Sequence, residues 1–266
     1  DGNISSRVTM IKPVNQTTFA ASQSMSASFP NGIVISLPAD ALADINGNIF
    51  SGTAILEVAY LGPTTPDYGS KLPGGDMMAI NSDGDLRILE SYGMIHAEFK
   101  TTSGDPLQIA PGFVAEVEVP VDPAMKANAP AVVPLWHFDE QDMIWKEEGS
   151  ATLSGNKYVT TVSHFSWWNI DMPWIPAYIE GSVVNCSGIP VPFVQVKINN
   201  LYNVYTDVNG KFEYAVLPGV SFPVQVNYTP LGSSTPVVSN LVTVPPLTAS
   251  QTYSIPTTIV IQCENY

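Results

Sequence analysis

The segment SHFSWWNIDMPW (163–174) combines a histidine, a serine and three of the five tryptophans of the chain. In a β-strand, residues two apart lie on the same face, so His164 and Ser166 are expected to project together, opposite Phe165. An imidazole beside a hydroxyl is the minimum arrangement for an activated serine nucleophile. The alternative is a closing strand whose aromatic face fills the core, with Ser166 hydrogen-bonded locally.

The three histidines of the chain are further candidates for chemistry, since His96, His137 and His164 fall on three separate predicted strands. They could converge on a metal ion, as imidazole ligands do in zinc sites. Aspartates clustered around glycine in GDMMAINSDGD (75–85) could hold calcium, but the spacing of a calcium loop is missing. Core or edge histidines and an acidic turn are the simpler interpretations, so we expect no metal and no cofactor.

Tryptophan offers a flat apolar face with one hydrogen-bond donor, so an exposed cluster could stack on a sugar or on a partner. All five tryptophans fall between residues 136 and 174. Burial between sheets or between domains is the simpler account. Trp174, beside the prolines of MPWIPAY (172–178), is expected to pack across a domain junction. The candidates for ligand or interface contact are Trp136, Trp145, Trp168 and Trp174.

The charge balance excludes several classes of partner. The chain has 10 Lys and Arg against 24 Asp and Glu, a formal net charge of −14. A cationic groove for phosphates cannot be assembled from this composition, which argues against nucleic acid and against an anionic membrane surface. No apolar run approaches the roughly 20 residues that span a bilayer. No phosphate loop, nucleophile elbow or zinc-protease motif is present either, so no conventional enzyme is expected.

The two cysteines, Cys186 and Cys263, are far apart and form no CxxC pair, which excludes a structural zinc site. In a secreted protein a single disulfide between them is natural, and we expect that pairing. Two buried thiols in a reduced chain are the alternative.

The elements that must position these residues are predicted to be strands. Period-2 alternation and β-branched clusters recur throughout, whereas helical periodicity is nearly absent. TAILEVAYL (53–61), for example, places Ala54, Leu56, Val58 and Tyr60 on one face. The prediction is an all-β chain of two consecutive β-sandwich domains. Its parts are an N-terminal extension or edge strand (1–19), a first sandwich (20–173), a proline-rich linker (174–177) and a second sandwich (178–266).

The second predicted domain resembles the carboxypeptidase-regulatory-like, or transthyretin-like, sandwich. The resemblance depends on GSVVNCSGIPVPFVQVKI (181–198) and on TDVNGKFEY (206–214). It implies a tight turn formed by Asp207 and Gly210, with Phe212 in the core. Such motifs indicate a fold rather than a function.

The first predicted domain resembles ZU5-type domains and the related region of cartilage-intermediate-layer-like extracellular proteins. The similarity depends on VISLPADALAD (34–44), WKEEGSA (145–151) and SHFSWWNID (163–171), with Asp40 at a position where glycine is usual. With the two modules in this order, the chain resembles secreted or lipid-anchored surface proteins of Bacteroidetes-type bacteria.

The ZU5 resemblance also implies a specific reaction. Some ZU5-bearing signalling proteins cut themselves at His-Phe-Ser, and the same tripeptide occurs here as His164, Phe165 and Ser166. Ser166 would then attack the preceding carbonyl with His164 as base, and the Phe165–Ser166 bond would break. That reaction also needs a strained peptide and a donor for the oxyanion.

The function expected from the sequence is non-catalytic: a structural, adhesive or accessory binding role outside the cell. The alternatives are a self-processing protein and a carbohydrate-binding module that uses exposed tryptophans. Its partner would be a protein or glycan at the cell surface. The chain would be extracellular or at the outer surface, with a lipid anchor, if any, on a segment that this sequence does not contain.

Overall fold

The chain forms three β-sheets, as described by a computed structural model that covers residues 15–229 and 237–261. Within these ranges the only helical elements are three single-turn 3₁₀ helices, at 68–70, 73–75 and 126–128. The prediction of an all-β fold is confirmed. The predicted N-terminal extension lies outside the described residues up to position 14, and Cys263 lies outside them as well. The division into two domains stays a prediction.

The largest sheet contains the first thirteen strands of the described chain. Two short strands, at 42–43 and 106–109, pair with each other, and the second also pairs with the strand at 86–101. The strand at 78–80 inserts between those at 86–101 and 144–154. The strands are β1 (Asn15–Ala20), β2 (Met25–Ser28), β3 (Val34–Leu37), β4 (Leu42–Ala43), β5 (Thr53–Leu61), β6 (Met78–Ile80), β7 (Leu86–Thr101), β8 (Pro106–Ile109), β9 (Ala115–Pro120), β10 (Val132–Asp139), β11 (Ile144–Ser154), β12 (Lys157–Val162) and β13 (Trp167–Trp174).

The strand order of this sheet is β1-β5-β7-β13-β10-β11-β12-β9-β3-β2. Leu56 on β5 and Ile35 on β3, near opposite ends of that order, belong to one buried cluster. The sheet therefore curls over a shared core. The predicted face of β5 is confirmed, because Ala54, Leu56 and Val58 are all fully buried in this cluster.

The central strands bury both faces. Along β10, Leu135 belongs to the first core, whereas Trp136 and Phe138 belong to a second core with Trp145 on β11. A strand that is buried on both faces has a nearly continuous apolar sequence, as in VVPLWHF of β10. Leu201, Tyr202 and Leu217, from the C-terminal part of the chain, pack against this second core.

The C-terminal strands form the two smaller sheets. One contains β14 (Ala177–Asn185), β17 (Lys211–Val216), β21 (Thr252–Ser254) and β22 (Ile259–Ile261). The other contains β15 (Gln195–Ile198), β16 (Tyr202–Tyr205), β18 (Phe222–Tyr228), β19 (Val237–Val238) and β20 (Val242–Val244). Ile179, Val196 and Val224 are fully buried members of the core that the two sheets share.

The predicted turn at 207–210 is confirmed. The Gly210 amide donates to the Asp207 carbonyl at 3.0 Å, and Phe212 is buried in the C-terminal core. The Asp207 carboxylate accepts the amides of Asn209 and Lys211, each at 2.8 Å. Backbone hydrogen bonds therefore occupy the carboxylate, as in an Asx turn.

A search for membrane-spanning helices over the described residues finds none of sufficient length and hydrophobicity.

Candidate functional site

The segment that carries His164 and Ser166 is not part of a strand. β12 ends at Val162 and β13 begins at Trp167, so residues 163–166 form a bend between them. The expectation that His164 and Ser166 lie within one strand is therefore wrong. The argument that places His164 and Ser166 on a common strand face therefore does not apply to this bend.

The two side chains of the expected nucleophile–base pair are engaged elsewhere. The Ser166 hydroxyl donates to the carbonyl of Trp167 at 3.2 Å, and His164 Nε2 lies 3.2 Å from Glu148 Oε2. Within the described residues no hydrogen bond joins His164 to Ser166. Phe165 packs edge-on against Phe99, with ring centroids 5.2 Å apart.

His164 belongs instead to a cluster of two imidazoles and a carboxylate, formed by His137, Glu148 and His164. His137 Nδ1 lies 3.0 Å from Glu148 Oε2, and one ligand atom from each residue lies within 4.8 Å of the others. The three side chains come from β10, from β11 and from the bend. We call this group the His137–Glu148–His164 cluster.

A β-bulge directs Glu148 into the cluster. Pro134 pairs with Ser150 and Trp136 with Glu147, so Glu148 and Gly149 together oppose the single residue Leu135. Gly149 adopts φ 90°, which glycine tolerates and other residues rarely do. Bulges of this kind change the direction of side chains and often occur near binding sites.

The indole of Trp168 forms the floor of the cluster. Its ring centroid lies 4.8 Å from that of His164 and 5.8 Å from that of His137. Trp168 Nε1 donates to the carbonyl of His164 at 3.1 Å, which ties the bend to β13. The ring and its hydrogen bond therefore hold both imidazoles in place.

Burial favours the neutral form of the His137 ring. Burial lowers the pKa of His137, and this outweighs the opposing effect of the Glu148 carboxylate. Nδ1 is shielded from solvent and, despite its proximity to Glu148, has no hydrogen-bond partner of suitable geometry among the described residues. A neutral imidazole carries its proton on one nitrogen, so Nδ1 offers an electron pair in the tautomer that has the proton on Nε2.

His96 does not join the other two histidines. Directly opposed residues of antiparallel strands project to the same face; His96 opposes Trp167, whereas His137 opposes Trp168. Because Trp167 and Trp168 are adjacent, His96 lies on the other face of the sheet. The hypothesis that all three histidines converge is therefore wrong, and Glu148 takes the third place.

The tryptophan candidates are mostly buried. Trp136 and Trp145 are fully buried and Trp168 is 3% exposed, so none of them presents a face to a soluble ligand. Trp174 is 44% exposed, and its Nε1 donates to Glu90 Oε2 at 3.0 Å. Burial, the simpler account of the tryptophans, therefore holds for these three, and the alternative of an exposed platform is left with Trp174. The acidic turn at 75–85 holds no group of potential metal ligands within the described part of the chain.

Sequence reasoning missed two features of this region. Glu148 enters the cluster through a bulge whose position depends on the register of β10 and β11. Asp171, within WWNID, is fully buried, and the Ser91 hydroxyl and the Tyr92 amide beside its carboxylate favour the ionised form. Burial raises the pKa of Asp171 well above its usual range. The burial of Asp171 could have been inferred from its position directly after Ile170 in an apolar strand that is buried on both faces.

A groove of about 530 Å³ borders the bend, lined by Lys100, Gln108, Ser163 and His164 among others.

The structure describes Cys186 but not its predicted partner Cys263, so the disulfide stays a prediction.

The chain shows limited similarity to known proteins. No protein-family model matches it. A stretch of 121 residues, 45% of the chain, is 25% identical to human cartilage intermediate layer protein 2, and covers 10% of that protein. Among solved structures, the TIE protein of Bacillus anthracis is 10% identical, with 95% of this chain and 41% of that chain covered and a TM-score of 0.25. The major pilin subunit BcpA of Bacillus cereus is also 10% identical, with coverages of 89% and 95% and a TM-score of 0.24.

Proposed function

We propose that this chain is a non-catalytic β-sheet module of an extracellular or cell-surface protein, with a structural, adhesive or accessory binding role. In this proposal a ZU5-like domain precedes a transthyretin-like domain. The proposal extends to a cell-surface protein or glycan as the partner.

The observation that carries the proposal is the state of the one candidate nucleophile. Ser166 donates its proton to a neighbouring backbone carbonyl, and the imidazole that would act as its base faces Glu148. General-base catalysis needs the base within hydrogen-bonding reach of the proton that it removes. The segment that most resembles a reactive site is therefore better explained as a structural bend whose aromatic residues fill the core.

The similarity to cartilage intermediate layer protein 2 supports the extracellular part of the proposal. Its name places that protein in a layer of cartilage, and the matched stretch covers nearly half of this chain. The matched stretch is a tenth of that protein, so the role of the whole protein enters here only as a proposal. The net charge of −14 also fits a partner other than a polyanion.

The test is the intact mass of the purified chain after full denaturation and reduction, beside a Ser166→Ala control. We expect one full-length species from both proteins after days of incubation, because the nucleophile and its base are not aligned. Fragments ending at Phe165 and beginning at Ser166, present in the parent and absent from the control, would contradict the proposal. They would instead establish the self-processing alternative.

A further inference from the structure

The His137–Glu148–His164 cluster has the composition of a zinc site. Zinc in proteins is bound by imidazole nitrogens at about 2.0–2.1 Å and by carboxylate oxygens at about 2.0–2.2 Å. Two imidazoles and one carboxylate with an open fourth position is a recurring three-ligand set for this ion. Calcium and magnesium prefer oxygen ligands, so two nitrogens in three argue against them.

The distances between the ligand atoms fit one ion. Two ligands of a tetrahedral zinc ion lie about 3.3 Å apart, as follows from these bond lengths. Glu148 Oε2 lies 3.0 Å from His137 Nδ1 and 3.2 Å from His164 Nε2. The ligand atoms of the two histidines lie within 4.8 Å of each other, and joint binding of one ion would require the more exposed ring, His164, to turn toward His137.

The cluster is preorganised and also accessible. The Trp168 ring supports both imidazoles, and the bulge at Gly149 fixes the direction of Glu148. The side chains of Glu148 and His164 are 43% and 41% exposed, so an ion can enter from solvent. Nδ1 of His137 is shielded from solvent and faces Glu148 Oε2 at 3.0 Å, so a bound ion would replace this contact with a bond to each of the two atoms.

We infer that His137 Nδ1, Glu148 Oε2 and His164 Nε2 form a binding site for one Zn²⁺ ion, whose fourth position is open to water or to a donor group of a partner. The ion would join β10, β11 and the bend at 163–166. This site is independent of the proposed extracellular role, because it requires only the geometry of the cluster.

The experiment is a calorimetric titration of Zn²⁺ into the full chain after removal of metal by a chelator. We expect one ion per chain. Glu148→Gln and His164→Gln should each weaken binding by more than about 100-fold, beyond the loss that is usual when an outer-shell group is changed. His96→Gln is the matched control, because it removes the histidine on the other face of the sheet, and it should leave the affinity unchanged.

A second readout separates loss of binding from loss of folding. The thermal midpoint of the metal-free variants should stay close to that of the parent, since the two substituted side chains are only partly buried. Added Zn²⁺ should raise the midpoint of the parent and of His96→Gln, and not that of Glu148→Gln or His164→Gln. Absence of Zn²⁺ binding by the parent would overturn the inference and leave an imidazole–carboxylate contact only. Binding that survives both substitutions, or that His96→Gln abolishes equally, would overturn it as well.

Discussion

Asp171 carries a fully buried carboxyl group. The Ser91 hydroxyl and the Tyr92 amide lie beside it and favour the ionised form, although that hydroxyl donates to Asn169 Oδ1 at 2.8 Å. An ionised carboxylate in such a place is costly, so burial raises its pKa and the protonated form is favoured. The backbone carbonyl of the same residue accepts the indole N–H of Trp136 at 3.0 Å.

This position predicts a stability that depends on pH. Because the folded pKa of Asp171 is raised, its contribution is most favourable below the unfolded pKa of about 3.9 and is lost as the pH rises through the folded pKa. Asp171→Asn removes that dependence. We expect its stability relative to the parent to rise by about 1.4 kcal/mol per pH unit across this window. Urea denaturation at a series of pH values between 4 and 8 measures it.

Asp83→Asn, which changes an exposed aspartate, is the control for the altered net charge and should follow the parent. A difference between Asp171→Asn and the parent that stays constant with pH would show that Asp171 is ionised in the folded chain.

At the scale of single elements, the motifs of the sequence predict turns well and pairing poorly. Asn46-Gly47 reverses the chain, since the Gly47 amide donates to the Asp44 carbonyl at 3.0 Å. One bridge, between Ala43 of β4 and Ile49, closes this turn, whereas β5 pairs with β1 and β7 and not with β3 or β4, the strands directly before the turn. Turn chemistry is local and readable, whereas strand partners depend on contacts far apart in sequence.

The position of Asp40 shows that a sequence motif can indicate a backbone conformation. It adopts φ 57°, the left-handed conformation that glycine enters freely and that aspartate tolerates better than most residues. A glycine would enter this conformation without strain, as the resemblance of VISLPADALAD to a motif with glycine at this position implies. The backbone requirement was therefore implicit in the motif, although the side chain differs.

The dependence of strand pairing on distant contacts also explains why the candidate site was predicted only in part. WKEEGSA and SHFSWWN were recognised as separate motifs, yet Glu148 from one and His164 from the other meet in the cluster. Their meeting depends on a bulge and on the end of β12, and neither is encoded by a periodicity of two. His137 and His164 were therefore predictable as candidates, whereas Glu148 was not.

The turn at 207–210 gives a prediction at this scale. Gly210 has φ 73°, and a Cβ there would lie 2.7 Å from the carbonyl oxygen of Val183. Gly188 has φ 76°, but a Cβ there meets nothing within 4 Å. We expect Gly188→Ala to cost about 1–2 kcal/mol from backbone strain, and Gly210→Ala to cost about 1–3 kcal/mol more from the clash. Equal unfolding free energies for the two variants in urea would contradict this.

At the scale of the whole molecule, Tyr202 connects the C-terminal strands to the large sheet. It packs against both the core of the smaller sheets and the core that contains Trp136 and Trp145. Its ring also lies 6.0 Å from that of Tyr214. Burial raises the pKa of Tyr202 above its usual range, which keeps the phenol neutral in this contact.

Removal of this ring should weaken both cores at once. We expect Tyr202→Ala to lower the free energy of unfolding by about 2–4 kcal/mol, as truncation of a packed aromatic residue does. Tyr205→Ala, on the same strand but 54% exposed, should change it by about 0.5 kcal/mol or less. Thermal unfolding of both variants measures the difference. A loss as large for Tyr205→Ala would show that strand propensity, and not the junction, is responsible.

All five tryptophans lie in the large sheet, and Leu201, Tyr202 and Leu217 cover the cluster that holds two of them. The tryptophan fluorescence of the chain therefore reports on the large sheet. If the C-terminal strands detach before the large sheet melts, water reaches the edge of that cluster and the emission shifts to longer wavelength while the strand signal in circular dichroism persists. If the two signals change together, the chain unfolds as one cooperative body.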